Sequence, residues 1–483
     1  MSITNNKIGK GLFWKLLERF GVQGSQFLLQ LVLARILDPE HYGVLSMMFI
    51  FTNLANVFIQ AGFSTALIQN KDVTDEDFSS VFWVTLGVAG LLYSTIFFCA
   101  PWIGRFYEMP DMVLPLRILA LMLLPGALNS VQLAKISREM NFKKVFISNL
   151  AGILIAGTVS IVIAKLGGGL WALVAQTLMN VVVVCIVMTF TSNLKLQFVI
   201  NWKRAVILFR FGWKLLVSGL LNTLYMELRS LVIGKKYDSG TLGYYNRGKQ
   251  FPQFIINAID GAVQSVMLPA IASEQDEQAR VKALMRSSIT LTSYIIFPMM
   301  AGLAGVAAPL VSLLLTDKWL PCVPYLQIYC FTFAFYPVHT CNLQAINAVG
   351  RSDIFLKLEI IKKAIGITAL VIAVFCFNSP IAIAATGIIT GLISCFVNAS
   401  PNKKLVGYSY FEQMKDILPS LLFSLVMLGC VLAVQLLHLN NILTILLQIV
   451  VGVVVYVLLS MLFKLEPFRI LLNIFKKFFK KGK

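Results

Sequence analysis

The sequence predicts an all-α polytopic membrane protein, and three observations carry that prediction. Of the 483 residues, 58% are hydrophobic and 13% charged, whereas soluble chains are nearer half apolar and a quarter charged. The mean hydropathy is +0.80. Apolar runs of about 20 residues or more recur along the chain, the length an α-helix needs to cross a hydrocarbon core. These runs do not alternate over about ten residues, which excludes a transmembrane β-barrel. The same composition excludes a disordered chain and a soluble enzyme with one large core.

Apolar runs between charged or Pro/Gly-rich breaks place fourteen spans, at about 12–37, 42–69, 78–104, 113–134, 145–165, 168–191, 206–234, 242–271, 287–316, 323–349, 358–377, 380–399, 417–438 and 441–463. The first run carries Lys15, Glu18 and Arg19 and lacks a small-residue cleavage site, so it reads as a span and not as a cleaved leader. Lys and Arg set the orientation. With the N-terminus in the cytoplasm, about 27 positive residues fall in loops and tails on that side and about five on the other. Both termini are then cytoplasmic, and most of the formal net charge of +19 is topology. A nucleic-acid partner is not needed to explain it. Of the eight cysteines, Cys99, Cys185, Cys376, Cys395 and Cys430 lie inside apolar runs, and no Cys-x-x-Cys pair occurs, so free buried thiols are expected.

The first half recurs in the second. Trp14-Lys15-Leu16-Leu17 returns as Trp213-Lys214-Leu215-Leu216; with one residue inserted, Asp38 and Gly43 match Asp238 and Gly243, and Gly62 stands opposite Gly261. The competing reading is chance, since aromatic-Lys-Leu-Leu starts are common at membrane interfaces. Six spans per copy make the repeats parallel, an arrangement in which transporters place a site between halves. The expected organisation is an N-terminal six-helix lobe (1–200), a second six-helix lobe (201–400), two additional transmembrane helices (401–463) and a basic amphipathic cytoplasmic tail (464–483).

Polar stripes run where lipid would be costly. Span 1 carries Lys15, Arg19, Gln23, Gln26 and Gln30 within roughly 80° of one another, flanked by Glu18. Span 7 repeats the stripe with Lys214, Ser218, Asn222, Tyr225 and Arg229, and Glu227 nearby. Span 2 has Asn53, Asn56, Gln60 and Ser64; span 8 has Asn246, Gln250, Gln253, Asn257, Asp260 and Gln264, with Lys249 at the margin. A shorter stripe, Tyr336, Thr340, Gln344 and Asn347, lies on span 10. Polar groups facing hydrocarbon cost several kcal/mol each, so these faces should meet protein or water. One reading is a water-accessible cationic cavity; the other is Gln and Asn acting as interhelical packing glue. Lys15 and Lys214 lie near span ends, where snorkelling competes with a cavity role. Glu18, Glu227 and Asp260 are the acids available for pairing with cations or coupling to an ion.

The remaining devices are structural. Pro125, Pro252, Pro298 and Pro337 should kink their helices, and Gly387 with Gly391 permits close packing. Spans 11, 13 and 14 are expected at the lipid-facing periphery. In the tail, Ile470, Leu471, Ile474, Phe475, Phe478 and Phe479 alternate with Lys476, Lys477, Lys480 and Lys481, a pattern for a helix on anionic membrane lipids. His41, His339 and His438 are scattered, no metal-ligand spacing appears, and no phosphate-cradling Gly-x-x-x-x-Gly-Lys-Ser/Thr loop occurs. No cofactor, metal or catalytic set is expected.

The stretch Leu33-Ala34-Arg35-Ile36-Leu37-Asp38-Pro39-Glu40-His41-Tyr42-Gly43, with Ala61-Gly62-Phe63 and Ile68-Gln69-Asn70-Lys71, resembles the start of Wzx-type polysaccharide flippases of the multidrug/oligosaccharidyl-lipid/polysaccharide (MOP) exporter superfamily. Arg138-Glu139-Met140-Asn141-Phe142-Lys143 and Leu242-Gly243-Tyr244-Tyr245-Asn246-Arg247 are similar to the colanic-acid and teichuronic-acid exporter branch. The resemblance spans about residues 10–400. It implies two six-helix lobes around a central cationic cavity in the bacterial cytoplasmic membrane, moving undecaprenyl-pyrophosphate-linked oligosaccharide between leaflets by alternating access for surface polysaccharide synthesis. A polysaccharide polymerase and export machinery would be its partners. On that reading Arg19, Lys214, Arg229 and Lys249, with Lys15 second, meet the pyrophosphate. Gln23, Gln26, Gln30, Asn53, Asn56, Gln60, Asn222, Tyr225, Gln253 and Asn257 meet sugar hydroxyls. A lipid II flippase would also want a cationic cavity; a multidrug antiporter for cations would want an acidic one. An integral-membrane polymerase or acyltransferase would need a nucleophile or base set that the sequence lacks.

Overall fold

The computed structural model describes residue 14 and residues 21–60, 64, 67–68, 72–192, 194–274 and 277–481. All regular structure among them is helical. Lys15, Glu18, Arg19, Gly62 and residues 69–71 lie outside the described residues. Among the described residues, eleven helical segments are long and apolar enough to cross a membrane, and the chain is a multi-pass membrane protein. The expected fourteen is not reached by that measure, and each shortfall has a reason. The first span is described only in its second half, the tenth is broken by Pro337, and the eleventh opens on Lys357, Glu359, Lys362 and Lys363. That charged start also means span 11 is less uniformly apolar than expected.

The chain divides into two compact units, Met1–Gly243 and Tyr244–Lys483. The first contains α1 (Gln23–Ile36), α2 (Pro39–Gln60), α3 (Asp75–Phe106), α4 (Val113–Ala120), α5 (Leu123–Arg138), α6 (Phe142–Lys165), α7 (Leu170–Thr191) and α8 (Trp202–Lys236). The α6–α7 hairpin turns at Gly167 and Gly169, whose φ values of 83° and 49° lie in the left-handed region that favours glycine. α1 packs on α6, and α5 on α3 and α7. A capping box starts α3: Thr74 Oγ1 accepts from the Asp77 N–H, and the Asp77 carboxylate accepts from the Thr74 N–H at 3.0 Å. The helix break between α4 and α5 falls at Leu121–Met122, just where Pro125 cannot supply an N–H to the carbonyl four residues back.

The segment joining the two sequence repeats is strapped to α3. Ser79 Oγ accepts from the Gln197 N–H at 3.0 Å, Ser80 Oγ from the Asn201 N–H at 2.9 Å, and the Trp83 indole donates to the Gln197 carbonyl at 2.9 Å. Beyond it α8, the first helix of the second repeat, packs on α2 and α3 within the first unit.

α9 (Ser239–Ala272) leads from the first unit into the second. The second unit continues with α10 (Gln278–Gly305), α11 (Ala307–Leu315), α12 (Val323–Ala334), α13 (Tyr336–Ala348), α14 (Ser352–Cys376), α15 (Pro380–Ala399), α16 (Asn402–Leu405), α17 (Tyr410–Ala433), α18 (Asn441–Leu462) and α19 (Glu466–Lys481). Pro337 separates α12 from α13, whereas Pro252 and Pro298 sit inside unbroken helices. α10 packs against α17, α12 and α13, and α15 against α14 and α12. Gly387 of α15 receives Thr332 of α12. α17 and α18 carry rows of exposed Leu, Ile and Val, including Leu418, Leu422, Leu446, Val450 and Leu458, the surface that lipid-facing helices present. All eight cysteines are free.

Candidate functional site

The expected site residues fall into three groups. Lys15, Glu18 and Arg19 lie outside the described residues. On α8, Lys214, Ser218 and Asn222 are exposed from the packed interior of the first unit, while Tyr225, Glu227 and Arg229 are half-buried. Of the two cations of this stripe, Arg229 is therefore closer to packed protein than Lys214.

Spans 1 and 2 carry both exposed and packed amides. Gln23 is exposed and Gln26 half-buried, but Gln30 donates its amide to Gln176 Oε1 on α7 at 3.1 Å. Gln30 therefore ties two helices of the unit, as packing amides do. Asn53 and Gln60 are exposed on α2, whereas Asn56 is half-buried near Gly126 of α5.

In the second unit the stripes of spans 8 and 10 meet. Asp260 accepts from Gln264 Nε2 at 2.7 Å on its own helix and from the Thr340 hydroxyl of α13. Tyr336, one turn before Thr340, lies within electrostatic reach of both Asp260 and Glu359. Lys249 holds its ammonium 5.9 Å from the Tyr329 ring centre, a cation–π arrangement. Gln253 is half-buried and Asn257 exposed.

Several groups with no assigned role in the stripe pattern join this neighbourhood. Arg247 is 4% exposed, donates to Gln250 Oε1 at 2.7 Å and sits 5.1 Å from the Trp319 ring centre. It stands in the Tyr-Tyr-Asn-Arg stretch, so its presence was visible although its burial was not. Lys362 pairs with Glu359 at the start of α14. His339 Nδ1 lies 3.2 Å from Asn398 Nδ2, and the fully buried amides of Asn342, Asn402 and Gln413 bond one another at 2.7–3.0 Å. Asn402 Oδ1 is left without a partner, while the bonds among the three amides tie α13, α16 and α17 together.

Two turn carboxylates complete the electrostatics. Asp238 receives the Thr241 N–H at 2.7 Å and its hydroxyl at 2.9 Å. Burial pushes this carboxyl up, but those hydrogen bonds outweigh it and hold it below the usual range. Glu108 is held below the usual range by the hydrogen bond and charge of Lys235, whose ammonium lies 2.9 Å away. Among the described residues no group of three His, Cys, Asp or Glu is placed to hold a metal ion.

The family model described as "Polysaccharide biosynthesis protein" matches residues 32–324. The succinoglycan biosynthesis transport protein ExoT of Rhizobium meliloti (strain 1021) is 24% identical over 427 residues, covering 87% of this chain and 83% of ExoT. The lipopolysaccharide biosynthesis protein WzxC of Escherichia coli (strain K12) is 24% identical over 448 residues, 90% of each chain. Among solved structures, the lipid II flippase MurJ in an inward closed conformation aligns with a TM-score of 0.73 at 18% identity, covering 92% of this chain and 98% of that one. At that identity the likeness to MurJ is one of fold.

Proposed function

This chain belongs to the polysaccharide biosynthesis protein family, and we propose that it is a flippase moving lipid-linked oligosaccharide repeat units across the bacterial cytoplasmic membrane. The observation that carries the proposal is similarity over 90% of both chains to a lipopolysaccharide biosynthesis protein, WzxC. The name of ExoT, a transport protein of succinoglycan biosynthesis, points to the same step.

The finer reading is a division of labour along the polar stripes. The two repeats, 1–200 and 201–400, act as lobes that alternate access, with both termini in the cytoplasm. Arg19, Lys214, Arg229 and Lys249, with Lys15 second, hold the pyrophosphate of an undecaprenyl carrier, because clustered cations stabilise a diphosphate by charge-assisted hydrogen bonds. The exposure of Lys214 and Asn222 supports this, since neither is consumed by packing within its unit. Gln23, Gln26, Asn53, Gln60, Gln253 and Asn257 offer amides to sugar hydroxyls. Asp260, Glu18 and Glu227 couple movement to an ion, and a polymerase takes the product.

Reconstitution tests the proposal. Proteoliposomes loaded with fluorescent undecaprenyl-pyrophosphate-linked sugar, read by a probe confined to one leaflet, should show protein-dependent transfer. Lipid II added in its place should move far more slowly. Equal transfer of both substrates would move the assignment to a lipid II flippase; no transfer of either would remove it.

A further inference from the structure

A groove of about 570 Å³ lies within the second unit between α10, α17 and α18, with α19 at its foot. We propose that it binds one anionic glycerophospholipid of the leaflet on which α19 lies, with an acyl chain in the groove and the phosphate against Arg469 and Lys476.

The wall is apolar in effect even where its residues are not. The Tyr456 hydroxyl donates to the Tyr294 carbonyl at 2.9 Å, and the Tyr294 hydroxyl donates to Ser460 Oγ at 2.8 Å. Gln448 spends its amide N–H groups on the carbonyls of Val431 at 3.0 Å and Gly305 at 3.3 Å. Apart from Gln448 Oε1, which is buried without a hydrogen-bond partner, what lines the groove is ring and hydrocarbon. Glycines open the space: a Cβ on Gly302 would meet nothing closer than Met427 Cε at 3.9 Å. The rim residues Ile449, Val453 and Met299 are 52%, 59% and 41% exposed, so the groove opens at the surface of a membrane-crossing chain. Water is a poor occupant of such a space and hydrocarbon a good one.

Depth and charge select the lipid. Along α18 the lining runs from Gln448 to Val457, about 14 Å of helix rise, close to half of the roughly 30 Å hydrocarbon core. That is the reach of one leaflet, and a polyprenyl carrier chain is far longer. The foot is closed by Phe468 and Leu471, which pack on the cluster containing Tyr294, Met427 and Tyr456. Seven residues turn a helix through almost two full circles, so Arg469 and Lys476 share one edge, beside the apolar face that bears Phe468 and Leu472. Both cations are exposed. An inner-leaflet phosphate anchored above an acyl chain is the partner that fits an apolar groove with cations at its foot.

Native mass spectrometry of the full chain in detergent tests this without reference to transport, so its failure would leave the flippase proposal standing. After delipidation and addition of equimolar phosphatidylglycerol and phosphatidylcholine, the wild type should retain one lipid, with roughly a thirtyfold preference for phosphatidylglycerol. Gly302→Phe should lose the retained lipid while still inserting in the membrane; Val453→Trp, which blocks the rim from an exposed position, gives the same reading if Gly302→Phe does not fold. Arg469→Gln with Lys476→Gln should keep one lipid but bring the preference towards parity. The proposal is overturned if no lipid is retained, if the two lipids are retained equally by the wild type, if both blocked variants keep it, or if equimolar undecaprenyl phosphate displaces it.

Discussion

Gly43 and Gly243, equivalent positions of the two repeats, each close on the backbone of the other repeat. A Cβ on Gly43 would stand 1.7 Å from the Ser239 carbonyl oxygen, and one on Gly243 would stand 2.1 Å from that of Pro39. Each glycine sits in the first turns of the helix that follows an aspartate, Asp38 or Asp238, so the contact is reciprocal. It accounts for α2 and the start of α9 packing within one unit although they are 200 residues apart in sequence. Gly234 adds to the approach: its Cβ would fall 2.2 Å from Met47 Cε.

Substituting either glycine should therefore force two backbones apart, since a carbonyl group cannot yield as a flexible side chain can. Gly43→Ala and Gly243→Ala are each expected to destabilise by about 1–3 kcal/mol, the range for overpacking. Gly90→Ala is the control, because a Cβ there meets nothing within 4 Å and the helix gains from alanine. Thermal unfolding in detergent should rank wild type and Gly90→Ala together, above both crossing variants. Unchanged melting of Gly43→Ala would mean that the two helix starts are not held this closely.

Asp238 caps α9, and its lowered pKa fixes the sign of a pH effect. A carboxyl held below its unfolded pKa contributes stability above that value and loses it as pH falls through the folded one. The Asp238→Asn variant should thus be close to wild type in acid and less stable at neutral pH, the gap closing as pH drops below about 4. Asp238→Ala, which also removes the acceptor for Thr241, should cost about 1 kcal/mol at neutral pH. Melting curves of the three proteins from pH 3 to 7 read this directly.

Local chemistry was legible in the sequence, and partnership was not. The apolar runs needed only residue order, and so did the polar stripes. Of the four prolines expected to kink helices, Pro125 and Pro337 stand at breaks while Pro252 and Pro298 lie in continuous helices, a difference residue order did not give. Which stripe residue meets lipid, cavity or helix depends on neighbours far along the chain. Gln30 and Asn53 look alike in sequence, yet Gln30 is bonded to Gln176, 146 residues away, and Asn53 is exposed. Asp260 stood out as a buried-helix acid, but nothing local indicated Thr340 as its donor. The reciprocal glycines were seen as a repeat match; that they mark a backbone contact is a fact of packing.

Asp260 gives the sharpest test of ion coupling. Its carboxylate accepts from Thr340 on Oδ1 and from Gln264 on Oδ2. An asparagine keeps one acceptor, and the Gln264 amide can turn to accept from the new NH2 group, so Asp260→Asn should fold normally while losing the titratable charge. Transfer of lipid-linked sugar driven by an imposed proton or sodium gradient should fall at least about tenfold, the loss of an interaction worth roughly 1.4 kcal/mol. Transfer without a gradient should be little affected. If Asp260→Asn responds to both gradients as the wild type does, the coupling role belongs elsewhere.

The cationic stripes can be tested at Lys214 and Arg19, one cation from the stripe of each repeat. Lys214 projects from α8 as an exposed ammonium, and a lysine at a span end can snorkel without serving a ligand. Charge and position separate the two roles. Lys214→Arg keeps the charge and should keep export, whereas Lys214→Ala should reduce it. The double variant Arg19→Ala with Lys214→Ala should abolish export, because a diphosphate loses two charge-assisted partners at about 1.5–3 kcal/mol each. Membrane insertion, followed by protease protection of a C-terminal tag, should not change. Snorkelling alone predicts the opposite pattern: altered insertion with normal transfer per inserted molecule.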